Sequence, residues 1–312
     1  MIARRSFLQS AAAIASGFSL SQIHAQQVPN SAGTGPAKLK APAGACDCHH
    51  HIYDAGRFPP VQKGGSFVDN ARLEEFRMLR KRIGTTRNIV VTPRAYVTDN
   101  RVTLDAIAKL GGSARGVAVV RPNVTGAELK ALDAGGIRGI RFSLGAQDAV
   151  TTVEMIEPLA KRIQPLGWHV QINTAAEQIV AEEALWNRLP VPSVFDHMGH
   201  VPEPAGTKHP VFGVISRLVD KGHTWVKLSV TYSDSKDGSP GYADISRVAQ
   251  AYVKAAPERM VWGSNWPHPN EPVKPDDAIL FDLMTKWAPD EATRNRILVR
   301  NPEALYGFPK QA

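Results

Sequence analysis

Eight short apolar runs alternate along this chain with stretches in which apolar residues recur every three to four positions, the period of a helix buried on one face. The runs cover 44–53, 87–93, 115–122, 136–143, 168–173, 193–197, 224–230 and 260–266, and the amphipathic stretches between them include 69–83, 153–166, 176–189, 212–221 and 242–255. Eight strand–helix units in one chain predict a single (β/α)8 TIM-type barrel, with 280–306 supplying helices that close it. The rival arrangement is a doubly wound open sheet. It is disfavoured because no glycine-rich phosphate fingerprint follows a strand, and because polar residues end many strands instead of gathering at one crevice.

The chain has 312 residues and 43% hydrophobic composition, enough for one core of about 250 residues with an N-terminal extension. That extension carries Arg4-Arg5, then Phe7-Leu8, then an apolar small-residue stretch from Ser10 to Leu20, with Ala25 available for cleavage. The order is that of a twin-arginine export signal over 1–25, and the apolar stretch falls short of the ~20 residues a membrane-spanning helix needs. The expected location is therefore the periplasm, with no membrane span. Residues 26–43, rich in Pro, Gly, Ser and Ala, read as a flexible lead, and the barrel is expected over 44–312. The net charge of +8 becomes +6 without Arg4 and Arg5. No dense basic cluster with interleaved aromatics is present, so nucleic acid is not an expected partner, whereas a small anionic substrate suits the mild positive charge. Cys46 and Cys48 are the only cysteines; their spacing within a strand suits a disulfide poorly, and buried free thiols are expected.

In such a barrel the chemistry belongs at the C-terminal ends of the strands. The first run ends in Cys46-Asp47-Cys48-His49-His50-His51, where strict alternation would put Asp47, His49 and His51 on one face and Cys46, Cys48 and His50 on the other. Two imidazoles two residues apart can grip one metal ion or one carbonyl oxygen. Later strand ends contribute Arg94 and Tyr96, Arg121 and Asn123, Arg141 and Ser143, Gln171 and Asn173, His197 and His200, Ser229 and Tyr232, and Asn265 and His268. Each has a structural explanation of its own, such as a helix cap for Asn173 or an ion pair for Arg141. Four histidines converging on one mouth are harder to explain that way.

The HxH motif, Gly136-Ile137-Arg138-Gly139-Ile140-Arg141-Phe142, Phe195-Asp196-His197-Met198-Gly199 and Val261-Trp262-Gly263-Ser264-Asn265-Trp266-Pro267-His268-Pro269 together resemble the amidohydrolase superfamily. Within it they resemble the group of 2-pyrone-4,6-dicarboxylate lactonase, 4-sulfomuconolactone hydrolase and D-galactarolactone isomerase. The resemblance implies a barrel whose strand-one and strand-six histidines polarise a lactone carbonyl while a strand-eight aspartate activates water. Here that aspartate is Asn265, whose neutral amide cannot act as a base.

The reading is thus a lactone hydrolase with His49, His51, His197 and Asn265 as catalytic residues and Arg141, Asn173, Tyr232 and His268 binding an anionic lactone. Zinc on His49, His51 and His197 would make the missing carboxylate tolerable; without metal a histidine must serve as base. Gln171, where metal-dependent relatives place a further histidine, weighs against the metal, and both options stand at this point. Lactone isomerisation, which needs no activated water, is the second enzymatic reading. An exported, non-catalytic solute-binding barrel is the reading of another class, opposed by the number of groups titrating near neutrality.

Overall fold

The structure, a computed structural model, describes residues 27–61, 67–145 and 150–310. The export-type segment at 1–25 lies outside the described residues. Eight strands pair in sequence order, every ladder parallel: β1 (Cys46–His50), β2 (Arg87–Val91), β3 (Ala114–Ala118), β4 (Ile137–Ser143), β5 (His169–Asn173), β6 (Ser193–Phe195), β7 (Thr224–Leu228) and β8 (Met260–Trp262). The circle is completed beyond the ends of β8, where Asn265 N–H donates to His49 O at 2.7 Å and His51 N–H donates to Trp266 O at 2.8 Å. This is the predicted (β/α)8 barrel.

Among the described residues the α-helices are α1 (Leu73–Ile83), α2 (Arg101–Leu110), α3 (Gly126–Ala134), α4 (Ile156–Ile163), α5 (Ala176–Ala181), α6 (Glu183–Arg188), α7 (Pro210–Asp220), α8 (Thr231–Asp234), α9 (Ala243–Ala255), α10 (Asp277–Asp282), α11 (Met284–Trp287), α12 (Glu291–Asn295) and α13 (Asn301–Tyr306), the last three within the stretch expected to close the barrel. In α1 the residues at helical spacing, Leu73, Phe76, Leu79 and Ile83, are buried, acidic Glu74 and Glu75 occupy the first turn and Arg80, Lys81 and Arg82 the last, as the helix dipole favours. Gly84 ends it at φ 82°, a left-handed conformation that a side chain would strain. The predicted helix at 176–189 is two, α5 and α6, broken at Glu182.

Strand parity separates two cores. Val226 and Leu228 belong to the large outer core with the helices, while Trp225 joins Cys46, Cys48, Ile89, Val91, Val117, Val194 and Val261 in a second cluster inside the barrel, which Tyr306 and Phe308 plug. Counting on by two from the inner residues places Lys227 and Asp196 inside the barrel as well. The cysteines are free and buried.

The strand-one expectation needs correction. β1 pairs with β2 as Cys46↔Arg87 and Asp47↔Asn88 but His50↔Val90, so one extra residue is accommodated in β1. The bulge lets Cys48 and His49 both face inward, and His50 points out to stack on Phe76 of α1 at 3.5 Å between ring centroids. Asp47 shares no face with the two inner histidines; its carboxylate accepts from Ser264 N–H at 3.0 Å and Ser264 Oγ at 2.6 Å, tying β1 to the segment after β8.

The lead at 27–43, expected to be flexible from its composition, holds neither helix nor strand but is pinned to the barrel from 27 on. Trp266 donates its indole N–H to Pro29 O at 2.8 Å, Arg82 donates to Ala32 O and Gly35 O at 2.8 Å each, and Asn30 donates from Nδ2 to Asp69 O at 3.0 Å. Partners distant in sequence, invisible to local composition, supply this order.

Candidate active site at the C-terminal ends of the strands

Asp196, immediately after β6, is the hub. Burial alone would raise the pKa of this fully enclosed carboxylate, but His49, Arg141 and Lys227 outweigh burial and hold it well below the ordinary range. Arg141 donates from Nε to Oδ2 at 2.9 Å, Gln171 donates from Nε2 to the same oxygen at 3.0 Å, and Lys227 Nζ stands 3.6 Å from Oδ1. Burial lowers Lys227 to about 8, and Asp196 is the largest influence opposing that fall.

A chain of polar contacts runs from Lys227 through the HxH pair. Lys227 donates to Gln171 Oε1 at 2.7 Å and lies 3.3 Å from His49 Nδ1. The same Nδ1 lies 3.2 Å from Asp196 Oδ1, the His49 and His51 Nε2 atoms are 3.2 Å apart, and His51 Nδ1 donates to Val91 O at 2.8 Å. Burial keeps both rings neutral: the His49 pKa is well below its usual value, and burial with Arg141 nearby takes His51 to about 3. His197 is likewise lowered by burial, and its Nδ1 is 2.9 Å from Ser229 Oγ.

The pocket above this hub is lined by His51, Arg94, Arg141, Asn173, His197 and His200, and on its other side by Tyr53, Tyr232, Asn265 and Glu271. The fold therefore gathers His51, Arg141, Asn173, His197, Tyr232 and Asn265 around one cavity. His49 is wholly buried and touches His51 from below, and His268, read from the sequence as substrate-binding, is also wholly buried and sits behind Tyr232. Arg121 and Asn123 line a separate cavity beside α2 and α3. Arg141 combines two proposed roles, since its Nε is paired with Asp196 and the residue also lines the pocket.

The metal-ligand grouping differs from the expected one. Among the described residues, donor atoms of His49, Asp196 and His197 all lie within 4.8 Å of one another; His51 is not in that group, its Nδ1 donating to Val91 O and its Nε2 lying 3.2 Å from His49 Nε2. Asp196 Oδ1 is buried between His49 Nδ1 at 3.2 Å and Lys227 Nζ at 3.6 Å, and two imidazole nitrogens with a carboxylate oxygen form a donor set that fits a divalent ion.

Sequence reasoning missed Lys227 and the central position of Asp196. The signal was present in Thr224-Trp225-Val226-Lys227-Leu228, where a charged residue at an inward position interrupts an otherwise apolar buried strand. Asp277, behind His268, carried no comparable signal.

The chain has relatives among known proteins. The chain is 34% identical over 281 residues to a 2-pyrone-4,6-dicarboxylate hydrolase of Comamonas testosteroni, covering 86% of this chain and 92% of that protein. It is 32% identical to a 4-sulfomuconolactone hydrolase of Rhizobium radiobacter, covering 88% and 94%, and 32% identical to a D-galactarolactone isomerase of Agrobacterium fabrum, covering 85% and 91%. An apo crystal structure from Agrobacterium tumefaciens superposes with a TM-score of 0.81 at 30% identity, covering 88% of this chain and 100% of that one. The amidohydrolase family model matches residues 46–308, from the first residue of β1 to the aromatic plug of the barrel, and this chain belongs to the amidohydrolase family.

Proposed function

We propose that the protein hydrolyses an anionic lactone of the muconolactone, sulfomuconolactone or pyrone-carboxylate type. The observation that carries the reading is the juxtaposition, in one pocket, of neutral imidazoles with the guanidinium groups of Arg94 and Arg141. Arginine forks suit a carboxylate or sulfonate on the substrate, and they hold the acyl group over the histidines. Without an ion, and with Ser229 donating to its Nδ1, His197 carries its proton on Nε2 and can donate to the carbonyl oxygen as charge develops there. Where His49, Asp196 and His197 hold a divalent ion, for which zinc is our proposal, the ion supplies Lewis-acid polarisation of that carbonyl. The test is a panel of charged and neutral lactones followed by proton release, since hydrolysis frees one acid group per ring opened. Preference for the anionic members is expected, and failure to open any of them would refute the proposal.

One observation favours a second reading, isomerisation. Asn265 stands where a carboxylate base would be needed, and its Nδ2 donates to Tyr232 OH at 2.8 Å. An isomerase would rearrange the ring by attack of the substrate's own hydroxyl and release no proton, so the same assay followed by NMR of the product separates the two.

We further propose export through the twin-arginine route, resting on Arg4-Arg5 and the short apolar stretch that follows. Replacing both arginines with lysine should retain the precursor inside the cell, and normal export of that variant would overturn the assignment.

A further inference from the structure

The site needs a group that takes the proton of the attacking oxygen, and Asn265 cannot be that group. Beside it begins a buried line of polar atoms leading away from the pocket. Asn265 Nδ2 donates to Tyr232 OH at 2.8 Å, so the phenolic hydrogen is left to donate elsewhere, and the other polar atom in reach is His268 Nδ1 at 2.9 Å. A nitrogen that accepts there leaves the ring proton on Nε2, which faces Asp277 Oδ2 at 3.2 Å. Of the three residues in the line, Tyr232 borders the pocket, while His268 and Asp277 are wholly buried behind it. Each member thus has a partner of the correct polarity, in the order hydroxyl, imidazole, carboxylate that makes a weak acid a good proton conduit.

We propose that Tyr232, His268 and Asp277 form the general-base relay of this active site, with His268 as the proton acceptor, Tyr232 as the conduit and Asp277 as the positioning residue. The proposal rests on the lactone reading above and serves hydrolysis and isomerisation alike. As the O–H bond of the attacking water or substrate hydroxyl breaks, its proton passes to Tyr232 Oη while the phenolic proton passes to His268 Nδ1. The new C–O bond forms at the acyl carbon and the carbonyl π pair moves onto its oxygen. When the oxyanion collapses, the ring C–O bond breaks, the leaving oxygen takes the Tyr232 proton, and His268 returns its proton to Tyr232. No electrons are gained or lost by the protein. Burial holds the Tyr232 phenol well above its usual pKa, in keeping with a hydroxyl that is protonated at rest and donates inward. Among the described residues, the rival bases are Glu271, the one carboxylate that borders the pocket, and the pocket imidazoles of His51 and His197.

Two measurements on the full chain test the relay. The first compares kcat and KM of the parent, Tyr232→Phe, Asp277→Asn and Glu271→Gln on a lactone that the parent turns over. Both relay variants should lose about 10²- to 10⁴-fold in kcat, the usual worth of general-base catalysis, with KM within about threefold of the parent. Parent-like kcat in Tyr232→Phe overturns the relay, and a large loss in Glu271→Gln then identifies Glu271 as the base in its place. The second needs no turnover: ring ¹⁵N shifts of His268 should show the tautomer protonated on Nε2, and Tyr232→Phe should move the Nδ1 resonance. A ring protonated on Nδ1 overturns the relay whatever the kinetics. A parent that opens no lactone refutes the proposed function instead, and the tautomer then decides the relay alone.

Discussion

Lys227→Met should make the unfolding free energy depend on pH differently from that of the parent, by an amount fixed by the burial of one ammonium group. Lys227 is wholly buried inside the barrel, and its pKa falls from 10.5 to about 8. Folding therefore lowers its proton affinity. Below pH 8 both states carry the proton and the native state bears the full cost of the shift, about 3 kcal/mol at 1.36 kcal/mol per unit. Between about 8 and 10.5 the unfolded chain holds the proton while the folded one has released it, so stability rises with pH and most of that cost is gone by about pH 10. A methionine has no such term. The difference in urea unfolding free energy between variant and parent, measured with EDTA present from pH 7 to 10, should shift by about 2–3 kcal/mol in favour of the parent as pH rises. A difference that stays flat over this range would mean that the ammonium is not desolvated, and the account of the Asp196 hub would fail with it.

Arg141→Lys should raise KM for an anionic lactone by about tenfold or more and change a neutral lactone little, because an ammonium cannot pair with Asp196 and present a fork to the pocket at once. Equal effects on both substrates would leave Arg141 a purely structural partner of Asp196. His197→Ala should lose bound metal, by elemental analysis, together with activity, and chelation of the parent should reproduce the loss. Phe76→Ala, which empties the space between His50 and Trp266, should cost about 3–5 kcal/mol in urea unfolding while leaving KM near that of the parent.

The barrel was legible because every buried strand reads as an apolar run and every helix as a periodic stretch, so eight repeats of one pattern fix the topology. Pocket residues such as Arg141, Asn173, His197 and Asn265 were legible for a related reason: the fold places the chemistry where strands end. What the sequence hid depends on half-integers of register and on distant partners. A single extra residue in β1 reverses the face of every later side chain, so alternation alone misassigned Cys48 relative to His49. His268 looked like a pocket residue because it follows the strand-eight motif, yet the turn that carries it, at φ 55°, directs it behind Tyr232 to Asp277. The inward direction of Lys227 follows only once the parity of β7 is known.

The amidohydrolase family model and the folded body have different starting points in this molecule. The family match starts at residue 46, but the strap from Gln27 to Gly35 already belongs to the folded body. A chain trimmed to the match would strip the guanidinium of Arg82, only 5% exposed, of two carbonyl acceptors and leave it to Asp276 alone, and would deprive the Trp266 indole of Pro29 O. Each intramolecular bond lost to water in this way costs about 0.5–1.5 kcal/mol, more for the charged guanidinium. The shortest protein that behaves like this one should therefore begin near residue 27, some twenty residues before any motif announces it.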